Sequence, residues 1–186
     1  SKTTAARHSK KGISTASLGD GSVAGELVAA AERLVGMEEA FSPETLLAHL
    51  MSVAAIKLRS DGPEPFITRI WLALARRGST FEARKGSASA GDLAFFHHVS
   101  DVSGDGRTDS MSGVAVVEEV MADGVMVCIG HVRGSVRRFV LDPKRPWKQY
   151  DGKGMVINSM IRPDDSSDTR DLPDLAGVLL AGFARP

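Results

Sequence analysis

The spacing of apolar residues changes near residue 90, and this change constrains the fold more than any other feature of the sequence. Before it, apolar side chains recur at the three- and four-residue spacing of amphipathic helices, at residues 27–35 and 46–58. After it come short apolar runs rich in β-branched residues, which are typical of strands. These runs cover residues 93–96, 114–120, 125–132 and 136–141. Helices followed by an antiparallel meander predict an α+β fold with the helices on one face of the sheet.

The second and third predicted helices have recognisable ends. Ser42 is suited to the N-cap, Pro43 to the first helical position, and Glu44 to the positive end of the helix dipole. A third helix is predicted from about Pro63 to Arg77, with Gly78 as the residue that follows its end. Local signals therefore predict where each helix begins and ends.

The length and composition are those of one globular domain preceded by a tether. The chain has 186 residues, of which 42% are hydrophobic and 25% are charged. Residues 1–25 are mostly serine, threonine, glycine, alanine and basic residues, which predicts a flexible tether because little apolar surface is available to order them. The domain is then expected over residues 26–186. Within it, residues 155–161 predict a further strand, and residues 175–183 predict a strand or a helix.

Charge and hydropathy exclude several classes of function. The 23 basic and 23 acidic side chains give a net charge of zero, which argues against a nucleic-acid partner. No apolar run approaches the roughly 20 residues that a membrane span requires. Neither zinc-ligand pairs at the usual spacing nor a glycine-rich phosphate-binding loop is present in the sequence.

The order of the helices and strands, together with two short motifs, resembles a known family. Residues 91–96 read Gly-Asp-Leu-Ala-Phe-Phe, and residues 112–118 read Ser-Gly-Val-Ala-Val-Val-Glu. They resemble the GDLVFF-like and HVGIV-like strands of the papain-like cell-wall peptidases and amidases of the NlpC and CHAP type, in which an upstream helix opens with DCSGF. The resemblance covers roughly residues 30–140, and the hexamer is its most specific part. It implies a papain-like NlpC/CHAP fold.

The same resemblance implies that the active site has been lost. The family needs a thiolate at a helix N-terminus and a histidine on the facing strand. In the alignment, Pro63 takes the place of the cysteine and Gly113 that of the histidine, and neither side chain can attack or transfer a proton. The third position, which orients the histidine, falls near His131. The resemblance therefore implies vestigial positions at Pro63, Gly113 and His131 and no catalytic residues.

The remaining reactive side chains are predicted to be structural. Cys128 lies in an apolar run, where a thiol usually packs as a small hydrophobe. His131 is three residues away and so points to the opposite face of a strand. His97 and His98 are adjacent, which predicts that at most one of them faces any given site.

A loop between the two motif strands has the spacing of a calcium-binding loop. Oxygen-bearing side chains occupy its first, third, fifth and ninth positions, a glycine the sixth, and Arg107 the seventh, which contributes only a carbonyl group. The predicted ligand residues are Asp101, Ser103, Asp105, Arg107 and Asp109. Ser112 stands where a bidentate glutamate is expected, which predicts weak calcium affinity. The alternative is an ordinary turn stabilised by Asx-type hydrogen bonds.

Together these observations predict a non-catalytic NlpC/CHAP-like module of the bacterial cell envelope. Its partner is expected to be peptidoglycan or an envelope protein, and the resemblance implies a secreted, periplasmic or envelope location. The first alternative is an active peptidoglycan amidase or endopeptidase with an unusual active site. The second is an interaction domain outside the envelope that shares the fold.

Overall fold

A computed structural model describes residues 22–37, 42–59, 61–82, 88–162 and 173–186. Within these residues the chain forms four helices and six strands. The helices are α1 (Val23–Leu34), α2 (Pro43–Val53), α3 (Phe66–Arg76) and α4 (Ala176–Leu179). The strands are β1 (Thr80–Phe81), β2 (Leu93–Phe96), β3 (Gly113–Val120), β4 (Met126–Val132), β5 (Ser135–Leu141) and β6 (Leu180–Ala184). The predicted α+β class is confirmed.

The helix starts follow their capping residues. Ser22 caps α1 by accepting a hydrogen bond from the backbone N–H of Gly25, so the helix begins three residues before the predicted domain start at residue 26. The rest of the predicted tether, residues 1–21, lies outside the described residues. Ser42 caps α2 as predicted, with Pro43 at its first position. The prediction that α3 starts near Pro63 is wrong, because the chain is still extended at Pro65.

The helix ends are only partly as predicted. The second helix stops at Val53 instead of reaching Leu58, since Ala55 adopts a positive φ of 53° that breaks the helical path. Gly78 has a φ of 69° and follows α3 as predicted. Its N–H donates to the carbonyl of Ala75, and that of Ser79 donates to Leu74, which satisfies the last carbonyls of the helix.

The sheet is antiparallel throughout, with strand order β1-β6-β2-β3-β4-β5. The predicted meander from β2 to β5 is confirmed, and the last strand, β6, returns to lie between β1 and β2. The predicted strand at residues 155–161 is wrong. That segment is a loop with isolated bridges from Tyr150 to Val156 and from Met160 to Leu175. The apolar tail forms a short helix and then a strand, α4 and β6.

Both faces of the sheet are covered. Leu93, Phe95, Val116 and Ile129 pack against the first three helices in one core. Alternate residues of the same strands, such as Ala94, Phe96 and Cys128, face a second core, which residues of α4 and β6 complete. The three N-terminal helices therefore occupy one face, as predicted, and the C-terminal segment covers the other.

Candidate functional site

The resemblance implies three vestigial positions, and two of them, Gly113 and His131, lie at the same end of the sheet. There β2 and β4 end and β3 begins, so that Gly113 pairs with Phe96 while His131 lies near the end of β4. Pro63 is not part of this group. It lies in the loop before α3, which contacts α2, β1 and β6. The helix after Pro63 therefore packs on the β1 and β6 side of the sheet, and the vestigial role of Pro63 stays a prediction.

The helix start that lies near His131 belongs to α2. The carboxylate of Glu44, in its first turn, interacts electrostatically with His131. Burial lowers the pKa of His131, and the nearby charge of Glu44 opposes this effect. Among the described residues, Oε1 of Glu44 is buried and has no hydrogen-bond partner. This end of the sheet therefore combines a carboxylate, a neutral imidazole and a helix N-terminus.

The helix start itself carries no free nucleophile. Ser42 Oγ accepts a hydrogen bond of 3.2 Å from the N–H of Thr45 and lies 3.1 Å from Thr45 Oγ1. Pro43 is buried and has no reactive group. The hydroxyl of Ser42 thus serves as the cap of the helix.

The position of Gly113 has no room for a side chain. A Cβ atom there would lie 2.9 Å from Val99 Cγ2 and 3.1 Å from Phe96 Cβ, both of which belong to the second core. These contacts lie on the face of the sheet opposite α2. A histidine at this position would displace the core, and its ring would point away from the helix start.

His97 and His98 do not alternate across the sheet as expected, because β2 ends at Phe96 and His98 has a positive φ of 57°. Their ring centroids lie 5.9 Å apart. His97 Nδ1 accepts a hydrogen bond of 3.1 Å from the N–H of Met111 and lies 3.3 Å from Ser110 Oγ. Burial and the neighbouring His98 lower the pKa of His97, so its ring is neutral near pH 7.

Cys128 is fully buried in the second core, as the sequence predicts. Burial, and to a lesser extent the charge of Glu118, raises the pKa of its thiol far above the ordinary value. His131 faces α2 on the other side of the sheet. Cys128 and His131 therefore cannot form a nucleophile and base.

The predicted calcium loop is held by hydrogen bonds within itself. Asp101 Oδ1 accepts from the N–H groups of Gly104 and Asp105, and Oδ2 accepts from Gly106 at 2.8 Å. These bonds lower the pKa of Asp101, the one from Gly106 most of all. Among the described residues, no group of three or more acidic, histidine or cysteine side chains is close enough to hold a metal ion. In this arrangement backbone N–H groups occupy the carboxylate of Asp101, and calcium binding stays a prediction.

The other predicted ligands of that loop also serve its backbone. Asp109 Oδ2 accepts from the N–H groups of Val102 and Ser103, at 2.7 and 2.9 Å. Asp105 Oδ1 accepts from the N–H of Arg107, whose side chain is exposed. This is the arrangement expected for Asx-type turns.

Sequence reasoning missed the role of Ser112. Its side chain is fully buried, and its Oγ accepts hydrogen bonds from the N–H groups of Val99 and Ser100, at 3.0 and 3.1 Å. The serine therefore ties the start of β3 to the chain that follows β2. No local signal predicts this role, because it depends on residues 12 and 13 positions away.

Comparisons with protein-family models, curated proteins and solved structures give no match for this chain. In the part of the chain that the structure describes, no helix has the length and apolar character needed to cross a bilayer.

Proposed function

We propose that this chain is a non-catalytic NlpC/CHAP-like module of the bacterial cell envelope that binds a peptidoglycan peptide or a protein partner. The observation that carries the proposal is the chemistry at the start of α2. In the related peptidases a thiolate stands at a helix start opposite a histidine, whereas here Pro43 and Glu44 lie on the helix that faces His131. The helix start that faces His131 thus offers no nucleophile.

The buried thiol cannot replace the missing nucleophile. Nucleophilic catalysis by cysteine requires a thiolate within hydrogen-bond reach of a base. Cys128 is fully buried and its pKa is raised by burial, so the thiol stays protonated at neutral pH. A binding module needs neither group.

One contact favours the alternative of an active hydrolase. Ser110 Oγ lies 3.3 Å from His97 Nδ1, which is near the reach required of a nucleophile and base. The same nitrogen already accepts a closer hydrogen bond, of 3.1 Å, from the N–H of Met111. Its lone pair is therefore occupied, which weakens it as a base and favours the binding module.

Incubation with purified peptidoglycan sacculi tests both parts of the proposal. Release of soluble muropeptides is measured for the wild type, Cys128→Ala and Ser110→Ala, with an active cysteine amidase as positive control. We expect all three proteins to co-sediment with sacculi and to release no more than buffer alone. Turnover that is lost in Ser110→Ala or Cys128→Ala would replace the proposal with the hydrolase alternative. Failure to co-sediment would remove peptidoglycan as the partner.

A further inference from the structure

Exposed apolar side chains are concentrated on the loop that follows β5. Trp147 is 65% exposed and Met155 is 66% exposed, the two largest values among the exposed large hydrophobic residues that the structure describes. The same loop exposes Tyr150, Val156 and Met160. Tryptophan, tyrosine and methionine are the residue types enriched at protein interfaces. A single exposed apolar side chain would need no explanation, but five of them on one loop indicate an interaction surface.

Buried polar contacts hold this loop in a defined shape. Asn158 is fully buried, accepts a hydrogen bond from the N–H of Asp142, and donates to the carbonyls of Arg145 and Lys148. Asp151 Oδ1 accepts from the N–H groups of Lys153 and Met155. An exposed apolar surface on a pre-organised loop costs little entropy when it binds a partner.

The loop that follows β5, residues 142–161, forms one wall of a groove along the edge of the sheet. Val127 and Val140 line it from the strands, and Met155 and Val156 from the loop. Its volume is about 490 Å³, within the range of roughly 300–1,000 Å³ usual for ligand pockets. The groove is shallow and open to solvent, and apolar side chains form most of its walls.

The edge strand beside the groove offers main-chain groups to a peptide. Val136 and Val140 use their outward groups in hydrogen bonds with Gly36, Met37 and Ser159. Arg138 lies between them, so its N–H and C=O also face away from β4. Among the described residues, nothing pairs with these two groups. A peptide can therefore form one pair of main-chain hydrogen bonds with the strand, at Arg138.

The loop beside the groove carries more basic than acidic residues. Lys144, Lys148 and Lys153 have exposed side chains. Asp142 is buried and forms an ion pair of 2.6 Å with Arg145, while Asp151 is engaged by backbone N–H groups. Four basic residues against two aspartates still leave residues 142–161 with a net positive charge, which complements an acidic partner.

We infer that this groove binds an acidic peptide segment in extended conformation, with an apolar side chain inserted between Val140 and Met155. The inference rests on the proposed function as a binding module and names its surface and the chemistry of its partner. The lysines would steer the acidic segment, and the methionine and valine walls would hold its apolar side chain.

Fluorescence anisotropy with labelled degenerate decapeptide pools tests the inference. One pool alternates glutamate with leucine or phenylalanine; the others replace glutamate by lysine, or the apolar residue by glycine. We expect the acidic apolar pool to bind tightest, and its affinity to fall with added salt. Met155→Ser should weaken it by about tenfold, the effect of losing a well-placed apolar contact. Lys153→Glu should weaken it by roughly fivefold and flatten the salt dependence.

Matched controls separate the surface from general changes of the protein. Val53→Ser and Lys57→Glu alter an apolar and a basic residue that are exposed at the end of α2 and shortly after it, and should leave binding unchanged. Equal binding of all pools, equal loss in the control variants, or binding only to phosphatidylserine-containing vesicles would overturn the inference. Peptide binding is measured independently of peptidoglycan turnover. If the protein proved to be an active hydrolase, it could still bind the peptide, and if it proved to be inert, it could still fail to bind it.

Discussion

Two loops of this protein are built with the same aspartate chemistry but differ in burial. In the acidic loop, residues 97–112, the exposed Asp101 accepts hydrogen bonds from three backbone N–H groups. In the distal loop, residues 142–161, Asp142 accepts from the N–H groups of Lys144 and Arg145, but it is only 1% exposed. The distal loop also contains the fully buried Asn158.

The difference shows where such hydrogen bonds matter for stability. Water can replace a lost partner at an exposed loop, whereas a buried N–H or C=O left without a partner bears its full desolvation cost. The acidic loop therefore depends on the fully buried Ser112, and the distal loop on Asp142 and Asn158. Substitutions at these residues therefore test whether the two loops differ in this way.

The largest effect is expected for Ser112→Glu. The spacing of a calcium loop predicts that this change completes the site. The structure predicts the opposite, because a charged side chain would be buried and the N–H groups of Val99 and Ser100 would lose their acceptor. We expect a loss of about 4 kcal/mol in the free energy of unfolding, measured in urea. Ser110→Glu, at an exposed position of the same loop, is the control and should change it little. Stabilisation of Ser112→Glu by calcium would contradict the structure.

A somewhat smaller effect is expected for Asn158→Ala. The change leaves the N–H of Asp142 and the carbonyls of Arg145 and Lys148 without their partner. We expect a loss of about 3 kcal/mol in the free energy of unfolding. Lys148→Ala shortens an exposed side chain in the same loop and is the control. If the two variants were equally stable, the distal loop would not depend on its buried amide.

A local effect is expected for Asp101→Asn. Hydrogen bonds lower the pKa of Asp101 in the folded protein. At a pH above the unfolded-state pKa of about 3.9, the carboxylate therefore stabilises the folded protein, and this stabilisation is lost as the pH falls through the lower folded-state pKa. The variant should lack this part of the acid dependence. It should also speed amide exchange at Gly104, Asp105 and Gly106. Unchanged exchange at these amides would show that the carboxylate does not order the loop.

The smallest effect is expected from calcium. If the loop binds it with a dissociation constant of about 1 mM, linkage at an equal concentration adds only about 0.4 kcal/mol, or about 1 °C in melting temperature. Calorimetry with and without calcium measures this shift, and Asp105→Ala should abolish it. A rise of many degrees would mean that the carboxylates leave their backbone partners and form a genuine metal site.

The elements of the fold follow from local patterns. The change of period near residue 90, the cap at Ser42 and the glycine at position 78 act within a few residues, so the sequence predicts α2, the end of α3 and the meander. The burial of Cys128 follows in the same way from the apolar run around it. The Asp142-Pro143 pair after β5 is a turn signal that could have argued against a strand at residues 155–161. It does not reveal the hydrogen bond that the N–H of Asp142 donates to Asn158.

By itself the sequence determined the start of α2, the residue that follows α3 and the meander strands. Only the tertiary structure decided that α2, and not the helix after Pro63, meets His131. It also decided that Ser112 is buried and that the loop of residues 142–161 lines a groove beside β5. The reason is physical. Periodicity and capping depend on neighbours within one or two turns, whereas the choice between similar amphipathic helices and the burial of single polar groups depend on contacts between distant segments.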